Sequence, residues 1–165
     1  MRFSSRVISN SGEIAGARTG AVAVEAAFVL TILSLLLLGT WEGSRMIEVE
    51  QILNNCAREG ARQAAAGQLT ASQVQTVVTN YLQDAGLPIA DVVVTVQDLT
   101  NPGTDPTAAT ELDKLQVTVT IPFKDVRWTS AVLVTSNSTL LSAQASWYSE
   151  NSQAYPGTVT MPTGY

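Results

Sequence analysis

"RTGAVAVEAAFVLTILSLLLLG", residues 18–39, decides the fold, because so apolar a run fits few environments. From Ala26 to Leu38 no residue is charged, and only Thr31 and Ser34 are polar. Ala21 to Trp41 spans 21 residues, and about 20 helical residues cross the hydrocarbon core of a bilayer. Trp41 then falls at the far interface, where aromatic rings are favoured. A secretory signal peptide would have an apolar region of roughly 7–15 residues followed by a small-residue cleavage site. Here the leucines run on to Leu38, and "GTWEGSR" at 39–45 holds no A-x-A. The run reads as a retained transmembrane helix.

Charge gives that helix a direction. Residues 1–20 carry Arg2, Arg6 and Arg18 against Glu13, a side-chain sum of +2. Residues 21–165 hold 6 basic and 13 acidic residues, a sum of −7. A basic flank before the span and an acidic remainder after it predict an N-terminus on the cytoplasmic side. The expected organisation is a basic cytoplasmic leader over 1–20, a transmembrane helix over 21–41, an extracytoplasmic domain over 42–148 and a flexible tail over 149–165.

Composition removes several function classes. The 165 residues include 9 basic and 14 acidic ones, a net charge of −5 that argues against nucleic acid as a partner. No histidine is present, which removes the commonest general base and the imidazole ligands of most zinc sites. Cys56 is the one cysteine, so neither an intramolecular disulfide nor a multi-cysteine metal site can form.

Within the apolar run, Glu25 is the one charge after Arg18. With a helix starting near Ala21, its carboxylate lies about 6 Å along the axis from the start. There it reaches headgroups and meets the positive end of the helix dipole. Two readings stand side by side: a tolerated interfacial acid, or the fifth residue of a chain cut after Gly20. In the second, the carboxylate pairs with the α-ammonium group exposed at Ala21.

The helical pattern continues past Trp41. Met46, Val49, Leu53, Cys56, Ala57, Gly60 and Ala64 recur at three- and four-residue spacings, the stripe of an amphipathic helix. Cys56 on that stripe packs as a small hydrophobe. Glu42 and Arg45 are expected to support one another on the wet face. A helix end is expected at Gly67, and Thr70 with Gln73 forms a capping box that opens a second helix. Val74, Val77, Val78, Tyr81 and Leu82 give that helix an apolar face up to Gly86, with Pro88 enforcing the stop.

Three strand patterns follow, over 91–98, 114–121 and 138–148. The middle one alternates strictly, with Leu115, Val117, Val119 and Ile121 on one face. The third alternates through Leu141, Ala143, Ala145 and Trp147. The predicted class is α+β: a long N-terminal transmembrane helix continuing into a small domain with a second helix and a roughly three-stranded antiparallel sheet.

Gly20, a short neutral stretch, Glu25 and an apolar helix behind a basic leader form the type IV prepilin pattern. With "GTWEGSR" at 39–45 and "QILNNCAREGAR" at 51–62, the chain resembles the TadE-like family, pseudopilin-like proteins of the tight-adherence (Flp-type) pilus. The resemblance covers roughly residues 18–66. Two positions depart from the family pattern: Ala26 stands where processed members often carry an aromatic, and Ser44 separates Gly43 from Arg45. The resemblance implies a pilin-like domain, a bacterial cytoplasmic membrane location, and cleavage by a prepilin peptidase between Gly20 and Ala21, with Arg18 as leader charge. Glu25 would then be the acid read during assembly. The implied partners are membrane lipid, the peptidase, and other pilins or pilus-base proteins, a second copy included.

Other sites are weaker. Gly39 and Gly43 make a G-x-x-x-G, a loose helix-packing motif. Asp98, Asp105, Glu111 and Asp113 flank a turn-rich loop without calcium-loop spacing, and read as a solvated acidic loop. Asn137-Ser138-Thr139 is a formal glycosylation acceptor, taken as chance. No phosphate loop, nucleophile elbow or paired-acid motif is present, so neither catalysis, cofactor, metal nor small-molecule substrate is expected. The functional expectation is a minor pseudopilin or anchored assembly factor. Its rival is a permanently anchored, unprocessed binding or structural domain outside any pilus.

Overall fold

A computed structural model describes residues 11–128, 136 and 138–151, with the backbone alone over 11–19. Arg2, Arg6 and the Arg18 side chain lie outside the described residues, as do Asn137 of the glycosylation pattern and the tail from residue 152. The chain divides into two units, Met1–Trp41 and Glu42–Tyr165.

Helix α1 runs Ser11–Ala65 and contributes to both units. It begins ten residues before the expected start at Ala21, because "SGEIAGARTG" contains no proline to stop it and its three glycines cost only about 1 kcal/mol each. Within the first unit, every described residue from Gly20 to Leu38 is exposed. Gly20–Ala65 holds the one helix, among the described residues, long and apolar enough to cross a membrane, with a mean hydropathy of 2.5 over its most apolar window. The polar side chains in this run are satisfied locally. Thr31, Ser34 and Thr40 each donate a hydroxyl proton to the carbonyl four residues back, at 2.8 Å. Such back-bonding removes the cost of a bare hydroxyl in an apolar medium.

The second unit is an α+β assembly. Helix α2 spans Ala71–Asp84 and opens on the expected capping box, Thr70 with Gln73. It ends where Gly86 takes φ +76 and Leu87 N–H bonds Leu82 O, the paired arrangement of a Schellman cap. Three strands follow: β1 Val93–Asp98, β2 Lys114–Pro122 and β3 Leu140–Tyr148. They form one antiparallel sheet in the order β1-β2-β3, with Val96 opposite Val117 and Val117 opposite Ala145. A four-residue turn of helix, α3 (Phe123–Val126), leaves the end of β2.

The core lies between the helices and one face of the sheet. Val49, Leu53, Cys56, Ala57, Ala61 and Ala64 of α1 meet Val74, Val78 and Leu82 of α2, with Leu115, Val117, Val119 and Ile121 of β2 beneath. Strict alternation along β2 survives intact, since a period of two places every second residue on the buried face. Each fully buried Val, Leu or Ile contributes about 1.5–3 kcal/mol relative to exposure.

Four expectations are corrected. Trp147 shares the inward parity of Leu141 and Ala143 but is 43 % exposed, where it lines an open groove with Tyr81 and with Arg58, Glu59 and Arg62 of α1. Tyr81 is likewise exposed, so the buried face of α2 narrows to Val74, Val78 and Leu82. Glu42 is buried rather than wet, at 4 % exposure. The tail expected from residue 149 begins with three held residues. Ser149 N–H bonds Asp113 O, Glu150 N–H bonds Ala65 O, and Asn151 Nδ2 donates to Ala109 O.

Candidate functional site

The candidate residues sort into a membrane-helix group and a domain group. Gly20, Ala21 and Glu25 lie in helical backbone inside α1, all exposed. A Cβ added at Gly20 would meet nothing within 4 Å. Glu25 lies one helical turn beyond Ala21, a rise of about 6 Å on the same face. Its other neighbours at helical spacing, Val22, Phe28 and Val29, are apolar. No cation within a turn of Glu25 is therefore available from the side chains of α1.

Gly39 and Gly43 are four residues apart in α1. Gly43 leaves open space where a Cβ would stand. Gly60, on the same helix, does not: an added Cβ would sit 2.6 Å from Val78 Cγ2 and 3.2 Å from Val117 Cγ1. At Gly60, α1 packs close against Val78 of α2 and Val117 of β2.

Arg45 performs a joining role that helical periodicity could not show. Its Nε donates to Val126 O at 2.9 Å, its Nη1 pairs with Glu48 at 2.9 Å, and its guanidinium lies 4.8 Å from the Trp128 ring centroid. Trp128 thus meets a cation on its face. Cys56 is buried, its Sγ donates to Val78 O at 3.3 Å, and burial pushes its thiol up to about 12.

Of the four acids read as a solvated loop, Glu111 is exposed, while Asp98, Asp105 and Asp113 are structural anchors. Asp105 Oδ2 accepts from Ala71 N–H at the first turn of α2, and Oδ1 accepts from Thr107 N–H and Oγ1. Those bonds, the Ala71 amide first, hold its carboxyl below the usual range. Asp113 is buried and accepts from the Thr110 hydroxyl, the Thr110 amide and Asn101 Nδ2, which lower its pKa in the same way. Asp98 is also buried. Its Oδ1 accepts from the amides of Thr100 and Asn101, while Oδ2 has no partner among the described residues. No group of three or more potential metal ligands occurs among the described residues.

One candidate membrane span and one small α+β unit define the class, a candidate single-pass membrane protein. Residues 20–62 match the family model described as TadE-like protein, so the match runs from Gly20 through Glu25, Arg45 and Gly60 to Arg62. No curated protein and no solved structure matches the chain.

Proposed function

We propose that the chain is a minor pseudopilin, or membrane-anchored assembly factor, of a tight-adherence (type IV-like) pilus or secretion system. It sits N-in in a bacterial cytoplasmic membrane, with the α+β unit outside. A prepilin peptidase cuts between Gly20 and Ala21, and no catalysis is assigned to the chain itself. The observation that carries the reading is Glu25. It is an exposed carboxylate with only apolar neighbours at helical spacing, one turn from Ala21, inside the segment that matches the family. Cleavage creates an α-ammonium at Ala21, at the spacing where side groups on a helix meet. An ion pair is worth little in water and more where lipid lowers the local dielectric.

Glu25→Ala is the test. Insertion should be normal, while co-purification with other pilus-base components is lost. Normal co-purification of Glu25→Ala would defeat the pseudopilin reading.

One observation favours a second reading, a permanently anchored binding domain. The Gly20–Ala21 bond lies inside α1, and a peptidase must unwind a helix to reach its bond. The uncut reading predicts that residues 1–20 persist in the functional protein.

A further inference from the structure

The two edges of the sheet are guarded unequally. Leu99 N–H bonds Lys114 O, so in β1 the odd residues face β2 and the even residues point their backbone groups outward. One of those outward carbonyls, Val94 O, accepts from Gln75 Nε2 of α2. β3 is different. Phe123 N–H bonds Thr139 O and Ser149 N–H bonds Asp113 O, so odd residues of β3 face β2. The amides and carbonyls of Leu140, Ser142, Gln144, Ser146 and Tyr148 therefore point away from the sheet. Among the described residues, no backbone bond outside the sheet reaches them. The nine residues "LLSAQASWY" contain no charge and no proline, the devices that usually blunt a sheet edge.

We propose that β3 pairs with β3 of a second copy, joining two domains into one six-stranded sheet. One register pairs the strand with itself over its whole length, Leu140 to Tyr148. A two-fold axis perpendicular to the sheet, midway between the two strands and level with Gln144, sets Gln144 against the partner's Gln144 and Ser142 against the partner's Ser146. Leu140 then meets the partner's Tyr148. Every outward amide in the strand finds an outward carbonyl. Leu140 and Tyr148, 62 % and 58 % exposed, cover one another twice, an apolar–aromatic cross-strand pair. No like charges meet, because the nearest charge, Glu150, falls opposite the partner's Ser138. Slipping by one residue would set inward-pointing backbone groups against outward ones, and slipping by two would leave an end of each strand unpaired and separate Leu140 from the partner's Tyr148, which favours the Gln144-centred register. This surface lies wholly within the α+β unit and does not depend on cleavage or on Glu25.

The test is thiol cross-linking of the full-length protein in its membrane. Cys56 is buried and serves as a silent background. Gln144→Cys should cross-link to itself with a short bifunctional thiol reagent, since opposed Cβ atoms lie about 4.5–5.5 Å apart. Ser142→Cys alone should not, its two copies being about 13 Å apart along the strand, but co-expressed with Ser146→Cys it should. Gln144→Lys should lose the dimer seen by light scattering in detergent while melting at the wild-type temperature. The proposal is overturned if Gln144→Cys cross-links no more than Val93→Cys, an exposed control on β1, or if Ser142→Cys cross-links as readily. It is overturned equally if the wild-type protein is monomeric, or if a folded Gln144→Lys remains dimeric, which would assign pairing to α1. Should Gln144→Lys not fold, the cross-linking register alone decides.

Discussion

Gly60 lies so close to Val78 that a methyl group on its Cα would stand 2.6 Å from the valine's Cγ2. The Cγ atoms of Val78 and Val117 belong to buried, β-branched side chains whose rotamers have little freedom. Gly60→Ala therefore sets two effects against one another. Helix propensity favours alanine by about 1 kcal/mol, while overpacking a filled core costs about 1–3 kcal/mol. The clash wins, and thermal denaturation of the full chain should show a lower midpoint. Gly43→Ala, with nothing to strike, should leave the midpoint unchanged or raise it. Equal gains in both variants would show that the α1–α2 contact is looser than described.

The two faces of β2 give a second contrast. Val117 is fully buried and Thr118 is not. Val117→Asp places an unpaired charge under two helices and should unfold the domain, whereas Thr118→Asp should be mild. Chemical denaturation reads the difference, and similar losses in both would contradict the face assignment.

What the sequence revealed depended on whether the signal was local. The capping box at Thr70 and Gln73, the stop at Gly86 and the alternation of Leu115 to Ile121 are each set within a few residues, and each stands. Trp147 and Tyr81 carry the right periodicity but border an open groove beside Arg58, Glu59 and Arg62 of α1, and periodicity does not show where packing leaves a gap. Asp105 capping α2 from 34 residues away, and Arg45 reaching Val126, are tertiary contacts with no trace in spacing. At the candidate site, Glu25 was conspicuous because a charge among apolar residues needs a partner. Its side-chain neighbours one turn away on the helix, Val22, Phe28 and Val29, are apolar and offer none.

Acid should destabilise the domain through its anchors. Asp105 and Asp113 have carboxyls held below their ordinary range by the bonds they accept. The unfolded state then binds more protons as pH falls past about 3.9, so stability present above that pH is lost below it. Melting temperature followed downward from pH 6 should fall steeply beneath pH 4. The variant Asp113→Asn should start lower and show a shallower slope, and an unchanged slope would remove Asp113 from the account.

Alkali should act through Cys56. Its thiol is pushed up to about 12 by burial, while an unfolded cysteine titrates near 8.5. Between those values the unfolded state releases the proton first, so stability falls as pH rises. An aromatic disulfide reagent at pH 8 should leave the folded protein unmodified and titrate one thiol after denaturation. Rapid labelling of native protein would contradict the buried position.

The central claim is that Glu25 answers an α-ammonium at Ala21, and the intact mass of the membrane-extracted protein tests it most directly. The functional wild-type chain should begin at Ala21, and Gly20→Arg should retain residues 1–20 and fail to assemble. Finding residues 1–20 on the assembled wild-type protein would contradict it.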